Sequence, residues 1–109
     1  MAIDKTLISG STTLLLLKLM SEKDMYGYEM IETLRSRSQN VFELKAGTLY
    51  PLLHQLEEKG FLISYEQGAS GKVRKYYSIT KEGRKQLTKK ESEWKTYSNA
   101  VMRVLAMGV

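Results

Sequence analysis

The sequence of 109 residues contains no cysteine, and it has only one histidine and one proline. Without cysteine the chain has no disulfide bond, thiolate metal site or cysteine nucleophile, and a reducing cytoplasm poses no difficulty for its folding. His54 stands alone without clustered carboxylates, so neither a zinc ligand set nor a serine–histidine–aspartate triad can be assembled around it. We therefore expect no metal and no cofactor.

The residue arrangements that enzymes use are also missing. Glu57 and Glu58 are adjacent, so in a helix they face different directions and form a poor acid–base pair. The turn Gly68–Gly71 is not a phosphate-binding loop, because it lacks both the following lysine–serine or lysine–threonine pair and the start of a helix. These absences predict that the protein is not an enzyme.

Long hydrophobic runs are absent as well. The leucine run Leu14–Leu17 is ended by Lys18 and falls far short of the roughly 20 apolar residues that a membrane-spanning helix needs. No small-residue cleavage site follows the run, so it does not match a secretory signal either. We expect a buried helix here, in a cytoplasmic protein with no membrane partner.

Positive charge is in excess. There are 17 lysines and arginines against 12 aspartates and glutamates, which gives a net charge of +5 and a pI of about 9.4. A hydrophobic content of 42% and a charged content of 27% are typical of one globular domain with a modest core. A basic balance favours a nucleic-acid partner, although many small basic proteins bind nothing acidic.

The segment Lys45–Gly60 predicts an amphipathic helix. Its leucines at 49, 52, 53 and 56 have the spacing of one buried helix face. Pro51 fits a first turn, so the helix should begin near Gly47 or Thr48, and Gly60 should end it. No carboxylate occurs between Lys45 and Gln55, so the front of this helix suits phosphates or base edges. The alternative is an ordinary amphipathic core helix.

A basic hairpin is predicted after this helix. Phe61–Glu66 and Val73–Ile79 are rich in β-branched and aromatic residues, and a glycine-containing turn joins them. A helix followed by such a hairpin is the layout of a winged helix-turn-helix, in which the helix enters the major groove and the wing lies on the adjacent backbone. Four cations and no acid lie from Gln67 to Lys81, namely Lys72, Arg74, Lys75 and Lys81.

These patterns predict a mostly α fold with a small β-hairpin wing, an α+β arrangement. We expect a DNA-binding domain over residues 1–80, including the N-terminal helix, and a dimerisation helix over residues 81–109. Thr48, Tyr50 and His54, with Gln55 as a weaker candidate, should reach base edges, and Lys45 a phosphate. In the wing we rank Lys72 above Lys75 and Arg74, because strand alternation places the last two on opposite faces.

Four blocks of the sequence resemble the PadR family of bacterial transcriptional regulators. They occur in order between Leu7 and the C-terminus, and they are Tyr26–Ile31, Gly47–Leu53, Leu56–Leu62 and Arg74–Thr80 with the following Glu82–Gly83. The single C-terminal helix resembles the short PadR-like subfamily, which includes multidrug-sensing repressors. The resemblance implies a dimeric repressor on palindromic operator DNA, with Tyr26 at a phosphate. The full predicted DNA-binding set is Tyr26, Lys45, Gly47, Thr48, Tyr50, Pro51, His54, Gln55, Lys72, Arg74 and Lys75.

The N-terminal half predicts two further helices. The first runs from Leu7 to about Met20, and its leucines fall on more than one side, which hints at a partner subunit. The second runs from Met25 to about Arg37, with Asp24 as its N-cap and a close packing contact at Gly27. The segment Val41–Leu44 is either a short strand or an extended link.

A long helix is predicted from Lys81 to about Ala106, with Thr80 as its N-cap. Apolar residues repeat along it at intervals of seven, as in a seam for another helix. We favour dimerisation through this seam over packing back on the same domain. The predicted interface is Leu14, Leu17, Leu87, Trp94, Tyr97, Ser98, Val101, Val104 and Leu105.

Trp94 lies on this seam and is the single tryptophan of the sequence. A two-fold axis there would bring two indoles together in an apolar slot suited to a flat aromatic ligand, preferably a cationic one. Short PadR-like regulators with a tryptophan in this helix use such a slot for drugs, so the resemblance supports an effector site. The alternative is that Trp94 only fills the dimer core. The predicted effector set is Trp94, Tyr97, Leu14, Leu15 and Lys18.

Two other functions compete with DNA binding. A winged-helix module can serve as a protein–protein interaction adaptor without sequence-specific DNA binding. An adaptor, however, has no need for a helix front and a wing that are both free of acids. A small-molecule carrier with an aromatic dimer pocket is a third possibility, and it is compatible with DNA binding.

Overall fold

The computed structural model describes residues 3–107. Over this range the chain forms four helices and one three-stranded antiparallel sheet, with the strands in the order β1–β3–β2. The elements in chain order are α1 (Lys5–Glu22), β1 (Met25–Tyr26), α2 (Gly27–Arg37), α3 (Ala46–Glu58), β2 (Leu62–Gln67), β3 (Arg74–Ile79) and α4 (Lys81–Met107). The predicted mostly α fold with a hairpin wing is confirmed.

Strand β1 was not predicted. It has only two residues, and it pairs with β3 through Met25 opposite Tyr77 and Tyr26 opposite Tyr76. The predicted N-cap at Asp24 is therefore wrong, because the chain is still extended at Tyr26 and α2 begins only at Gly27. The Asp24 carboxylate instead accepts a hydrogen bond from the hydroxyl of Tyr65, at 2.6 Å.

Helix α3 begins at Ala46, close to the predicted start, but Pro51 is its sixth residue and lies beyond the first turn. Because proline has no N–H, the helix lacks the hydrogen bond from residue 51 to the Gly47 carbonyl. Gly47 is exposed, so water can take the place of that donor. The predicted stop at Gly60 is confirmed by its φ of 79°. The Phe61 N–H donates to the Leu56 carbonyl at 2.9 Å, which closes a Schellman turn.

The core is built around α1, which contacts α2, α4 and β3. The protomer's own elements thus cover most of the α1 leucines, whereas Leu7 stays 60% exposed. Half-buried Phe42 and Leu44 pack against this core from a segment that forms neither helix nor strand, so Val41–Leu44 is an extended link and not a short strand. The fully buried side chains are Leu16, Leu17, Met20, Met30, Leu49, Leu53 and Leu62.

Helix α4 begins where the sequence predicts. The Thr80 hydroxyl accepts a hydrogen bond from the Gly83 N–H at 3.0 Å, as an N-cap does, and donates to the Gly60 carbonyl at 2.6 Å. Thr80 therefore joins the start of α4 to the end of α3. Helices α1 and α4 extend slightly past their predicted ends, as helix ends often do. Among residues 3–107, no helix is both long enough and apolar enough to cross a membrane.

Candidate nucleic-acid interface

Helix α3 presents one buried and one exposed face. Leu49, Leu53 and Leu56 are buried as predicted, whereas Leu52 is only half-buried because it lies at the edge of the core. The side chains predicted to face DNA are on the other face. All of the following are exposed: Lys45, Gly47, Thr48, Tyr50, Pro51, His54 and Gln55.

Tyr50 lies against the first residue of α2. A Cβ atom placed on Gly27 would come within 2.7 Å of the Tyr50 ring carbon Cζ, so the ring occupies the space that a larger residue would need. The close packing contact predicted at Gly27 is confirmed, with Tyr50 as its partner. The Tyr50 hydroxyl is the atom nearest to that position, and the residue as a whole is still 47% exposed.

His54 has a neighbour on its own helix. Its Nε2 atom lies 2.9 Å from the Glu58 Oε1 atom, one turn further along α3, and both side chains are mostly exposed. Any contact from His54 to DNA must give up this pairing with Glu58. The helix front from Lys45 to Tyr50 carries no acid that could compete in this way.

The wing cations differ in their surroundings. Lys72 is exposed in the loop between β2 and β3. The Arg74 Cζ atom lies 4.5 Å from the centre of the Tyr26 ring, on one face of the sheet. On the other face, the Lys75 ammonium lies 3.8 Å from the Glu57 Oε1 atom and 5.5 Å from the centre of the Tyr77 ring. The predicted placement of Arg74 and Lys75 on opposite faces is confirmed.

These elements converge on a shallow pocket of about 390 Å³. The start of α2, the second turn of α3 and the loop end of strand β3 all contribute, and no carboxylate lines it. It brings together four of the residues predicted to bind DNA, and two that were not predicted. Its lining residues are Tyr26, Gly27, Tyr28, Tyr50, Arg74 and Lys75.

Three tyrosines form what we call the tyrosine stack: Tyr26, Tyr65 and Tyr76. The rings of Tyr65 and Tyr76 are stacked with centres 5.8 Å apart, and Tyr26 meets Tyr76 edge-on at 5.4 Å. The hydrogen bond from Tyr65 to Asp24 raises the pKa of the Tyr65 hydroxyl above its usual value. Sequence reasoning missed this group, because only the pairing of Tyr76 with both Tyr65 and Tyr26 reveals it.

A second, larger cavity of about 780 Å³ lies between α1 and α4. The rings of Trp94 and Tyr97, 6.1 Å apart, form part of its wall. Leu14 also lines it, whereas Leu15 and Lys18 do not. The remaining lining residues are Asp4, Thr6, Leu7, Gly10, Lys90 and Glu93, none of them predicted. Within residues 3–107 no three potential metal ligands cluster here or elsewhere.

The predicted seam on α4 is divided between the core and the surface. Leu87, like Leu17 and Leu14 of α1, is buried within the protomer and so is not free to contact a partner. Ser98 is half-buried. The distal part of the seam is exposed, and it consists of Trp94, Tyr97, Val101, Val104 and Leu105.

A helix with an acid-free exposed front, set beside a basic hairpin, defines a winged helix-turn-helix of the DNA-binding class. The chain belongs to the PadR-like family of transcriptional regulators, whose sequence profile matches residues 16–89. The resemblance seen in the four sequence blocks is thus confirmed. Members of this family are transcriptional regulators rather than enzymes, they bind DNA, and they typically dimerise.

Solved structures show the same fold. A transcriptional regulator from Clostridium thermocellum matches with a TM-score of 0.84 and 34% identity, over 90% of this chain and 96% of that one. A PadR family regulator from Eggerthella lenta matches with a TM-score of 0.83 and 33% identity, over 92% and 86% of the two chains. An uncharacterised protein of Lysinibacillus sphaericus is 38% identical over 81% of this chain and 82% of its own length.

Proposed function

We propose that this protein is a cytoplasmic repressor that binds palindromic operator DNA as a homodimer and is released by a small aromatic ligand. The observation that carries the proposal is the convergence of α3, the start of α2 and the loop end of the wing on one pocket, whose lining includes Arg74 and Lys75 and no carboxylate. Phosphates favour such a surface, and an exposed helix of this size fits the major groove.

The exposed residues divide into two groups by their expected contacts. Thr48, Tyr50 and His54 lie along the exposed face of α3 and are the candidates for base edges, with Gln55 next to them. Lys45 at the start of α3 and the cations of the wing are candidates for phosphates, which set the register of the protein on the duplex. Tyr26, Gly47 and Pro51 belong to the same surface.

The proposed dimer forms through α4. The exposed distal seam, from Trp94 to Leu105, is apolar, and a second copy related by a two-fold axis would bury it. Residues 1–80 then act as the DNA-binding unit and residues 81–109 as the dimerisation helix. Two recognition helices about 34 Å apart, one turn of DNA, would match a palindrome.

The proposed effector site is the cavity between α1 and α4, beside this seam. Trp94 and Tyr97 offer aromatic faces, and the carboxylates of Asp4 and Glu93 add negative charge, partly offset by Lys90. A planar aromatic cation suits this combination of rings and acids. Such a ligand regulates only if it binds the DNA-free spacing of the two α3 helices more tightly than the DNA-bound spacing.

The salt dependence of binding to the promoter of the protein's own gene tests DNA recognition. We expect the logarithm of the association constant to fall steeply and linearly with the logarithm of the salt concentration, because each neutralised phosphate releases counterions. A sequence-scrambled duplex of equal length is the control for specificity. A flat salt dependence would favour the adaptor function, in which the winged helix binds another protein.

Fluorescence of Trp94 tests the effector site. We expect planar aromatic cations to quench it in a saturable way and to release the promoter duplex over the same concentration range, since one binding event causes both. Neutral analogues of the same ring size are the control for the carboxylates. Quenching without release would mean that the cavity binds ligands but does not regulate, and an absence of quenching would mean that Trp94 only fills the interface.

A further inference from the structure

The tyrosine stack crosses all three strands of the sheet. Tyr65 lies on β2, Tyr76 on β3 and Tyr26 on β1, and the strand register places Tyr76 directly opposite each of the other two. All three rings lie on the sheet face opposite the buried Tyr77, outside the core. Because aromatic pairs in this geometry attract each other beyond their burial, the stack holds the hairpin against β1.

A hydrogen bond holds one end of the tyrosine stack, and an arginine side chain covers the ring at the other end. At the β2 end, Tyr65 donates its hydroxyl hydrogen to Asp24, in the connection between α1 and β1, at 2.6 Å. At the β1 end, the guanidinium of Arg74 lies over the face of Tyr26, at 4.5 Å from the ring centre. Arg74 thus extends from the wing back towards the start of α2, where it lines the pocket with Tyr50.

This placement leaves Arg74 able to bind an anion. A guanidinium that stacks on a ring uses its face for the ring and keeps its in-plane N–H donors free for a phosphate. Lys75, the neighbouring cation, is less free, because its ammonium faces the Glu57 carboxylate at 3.8 Å. No described carboxylate is paired with Arg74.

We propose that Tyr76 and Tyr65 are positioning residues for DNA binding, which hold Arg74 over Tyr26 so that its guanidinium receives a backbone phosphate beside the start of α2. The inference rests on the proposed DNA binding and adds a role to residues that do not themselves touch DNA. Ordering a long side chain before DNA arrives removes part of the entropic cost of the contact. Loss of the Tyr76 or Tyr65 ring therefore weakens DNA binding by releasing Arg74 from its position over Tyr26.

A double-mutant cycle tests this coupling. Binding of a mixed-sequence duplex of about three helical turns is measured at low salt, since a phosphate contact does not depend on sequence. We expect Tyr76→Leu to weaken binding about three- to tenfold, the range set by ordering one long side chain. In the Arg74→Ala background, the same substitution should cause little further loss, because coupled residues are not additive.

Control variants separate positioning from general damage. Tyr76→Phe keeps the ring and should bind as the unmodified chain does. Ile63→Ala changes an exposed residue on the same sheet face outside the stack, and should also leave binding unchanged. If Tyr76→Leu fails to fold, as judged by thermal unfolding, Tyr65→Leu on the edge strand replaces it in the cycle.

Three results of the double-mutant cycle would overturn the positioning role of Tyr76. Equal losses from Tyr76→Leu with and without Arg74 would show that the ring only supports the fold, and would overturn the inference. The inference also fails if Tyr76→Leu changes nothing, or if Arg74→Ala changes nothing in a protein that binds DNA, while the proposed function stands in both cases. If the unmodified chain does not bind the duplex, the proposed function itself fails, and the inference with it.

Discussion

Tyr50 shows how one side chain on a small protein serves two elements. Its ring and hydroxyl fill the space over Gly27 and so fix the distance between α2 and α3, while the residue also lines the exposed pocket. Sequence reasoning predicted a close contact at Gly27 from the cost of glycine in a helix. It could not name the partner, because the crossing of α2 and α3 is set by tertiary packing.

Substitutions of Tyr50 separate these two tasks. We expect Tyr50→Ala to weaken binding to the promoter duplex more than binding to random DNA, since a base contact carries about 1–3 kcal/mol of discrimination. Tyr50→Phe keeps the ring over Gly27 and removes only the hydroxyl, so as the matched control it should lose what the hydroxyl contributes to packing and to recognition. Titrations of both duplexes measure this difference. Equal losses on the two duplexes would remove Tyr50 from the residues that read bases.

Helices and strands differ in how well local sequence predicts them. Helix α3 and the hairpin carry their patterns within a few residues, in the leucine spacing, the stop at Gly60 and the alternation of the strands. Strand β1 could not be predicted, because two residues carry no pattern and their partner β3 lies far along the chain. The N-cap prediction at Asp24 is wrong for the same reason, because the hydrogen-bond partner of Asp24, Tyr65, is remote in sequence.

The wing provides a prediction that concerns one element. Replacing Lys72 by alanine should weaken binding to every sequence about equally and should reduce the slope of the salt dependence by about one unit, because one phosphate contact is lost. Lys89→Ala, an exposed lysine on α4 away from the wing, is the matched control. An unchanged slope for Lys72→Ala would show that the loop between β2 and β3 does not touch the duplex.

At the scale of the whole molecule, the arrangement of apolar surface is uneven. The protomer extends 62 Å along its longest axis, and its 27-residue helix α4 is about 40 Å long. The first part of α4 buries the seam residue Leu87 in the core, while the distal part exposes Val101, Val104 and Leu105. The seven-residue repeat predicts the whole seam, but it does not distinguish its buried part from its exposed part, because both parts have the same spacing.

Leu105→Asp tests the dimer. The side chain is 69% exposed in the protomer, so the substitution should leave the fold intact, whereas burial of an unpaired charge between two copies should dissociate them. Asn99→Asp adds the same charge on the opposite side of the helix and should remain dimeric. Sedimentation at micromolar concentration measures both. A Leu105→Asp protein that stayed dimeric would place the interface on another surface.

The length of the protomer also determines how far a small rotation at the proposed dimer interface would move helix α3. If two copies meet near the C-terminal end of α4, each protomer extends up to 62 Å from that contact. Helix α3, the proposed recognition helix, then lies far from the point about which the protomers rotate. A rotation of about 10° at the interface then moves α3 by roughly 10 Å. This displacement is close to a third of the spacing of about 34 Å between successive half-sites on DNA. A ligand that changed the angle between the two α4 helices by so small an amount would prevent the two α3 helices from fitting both halves of the palindrome at once.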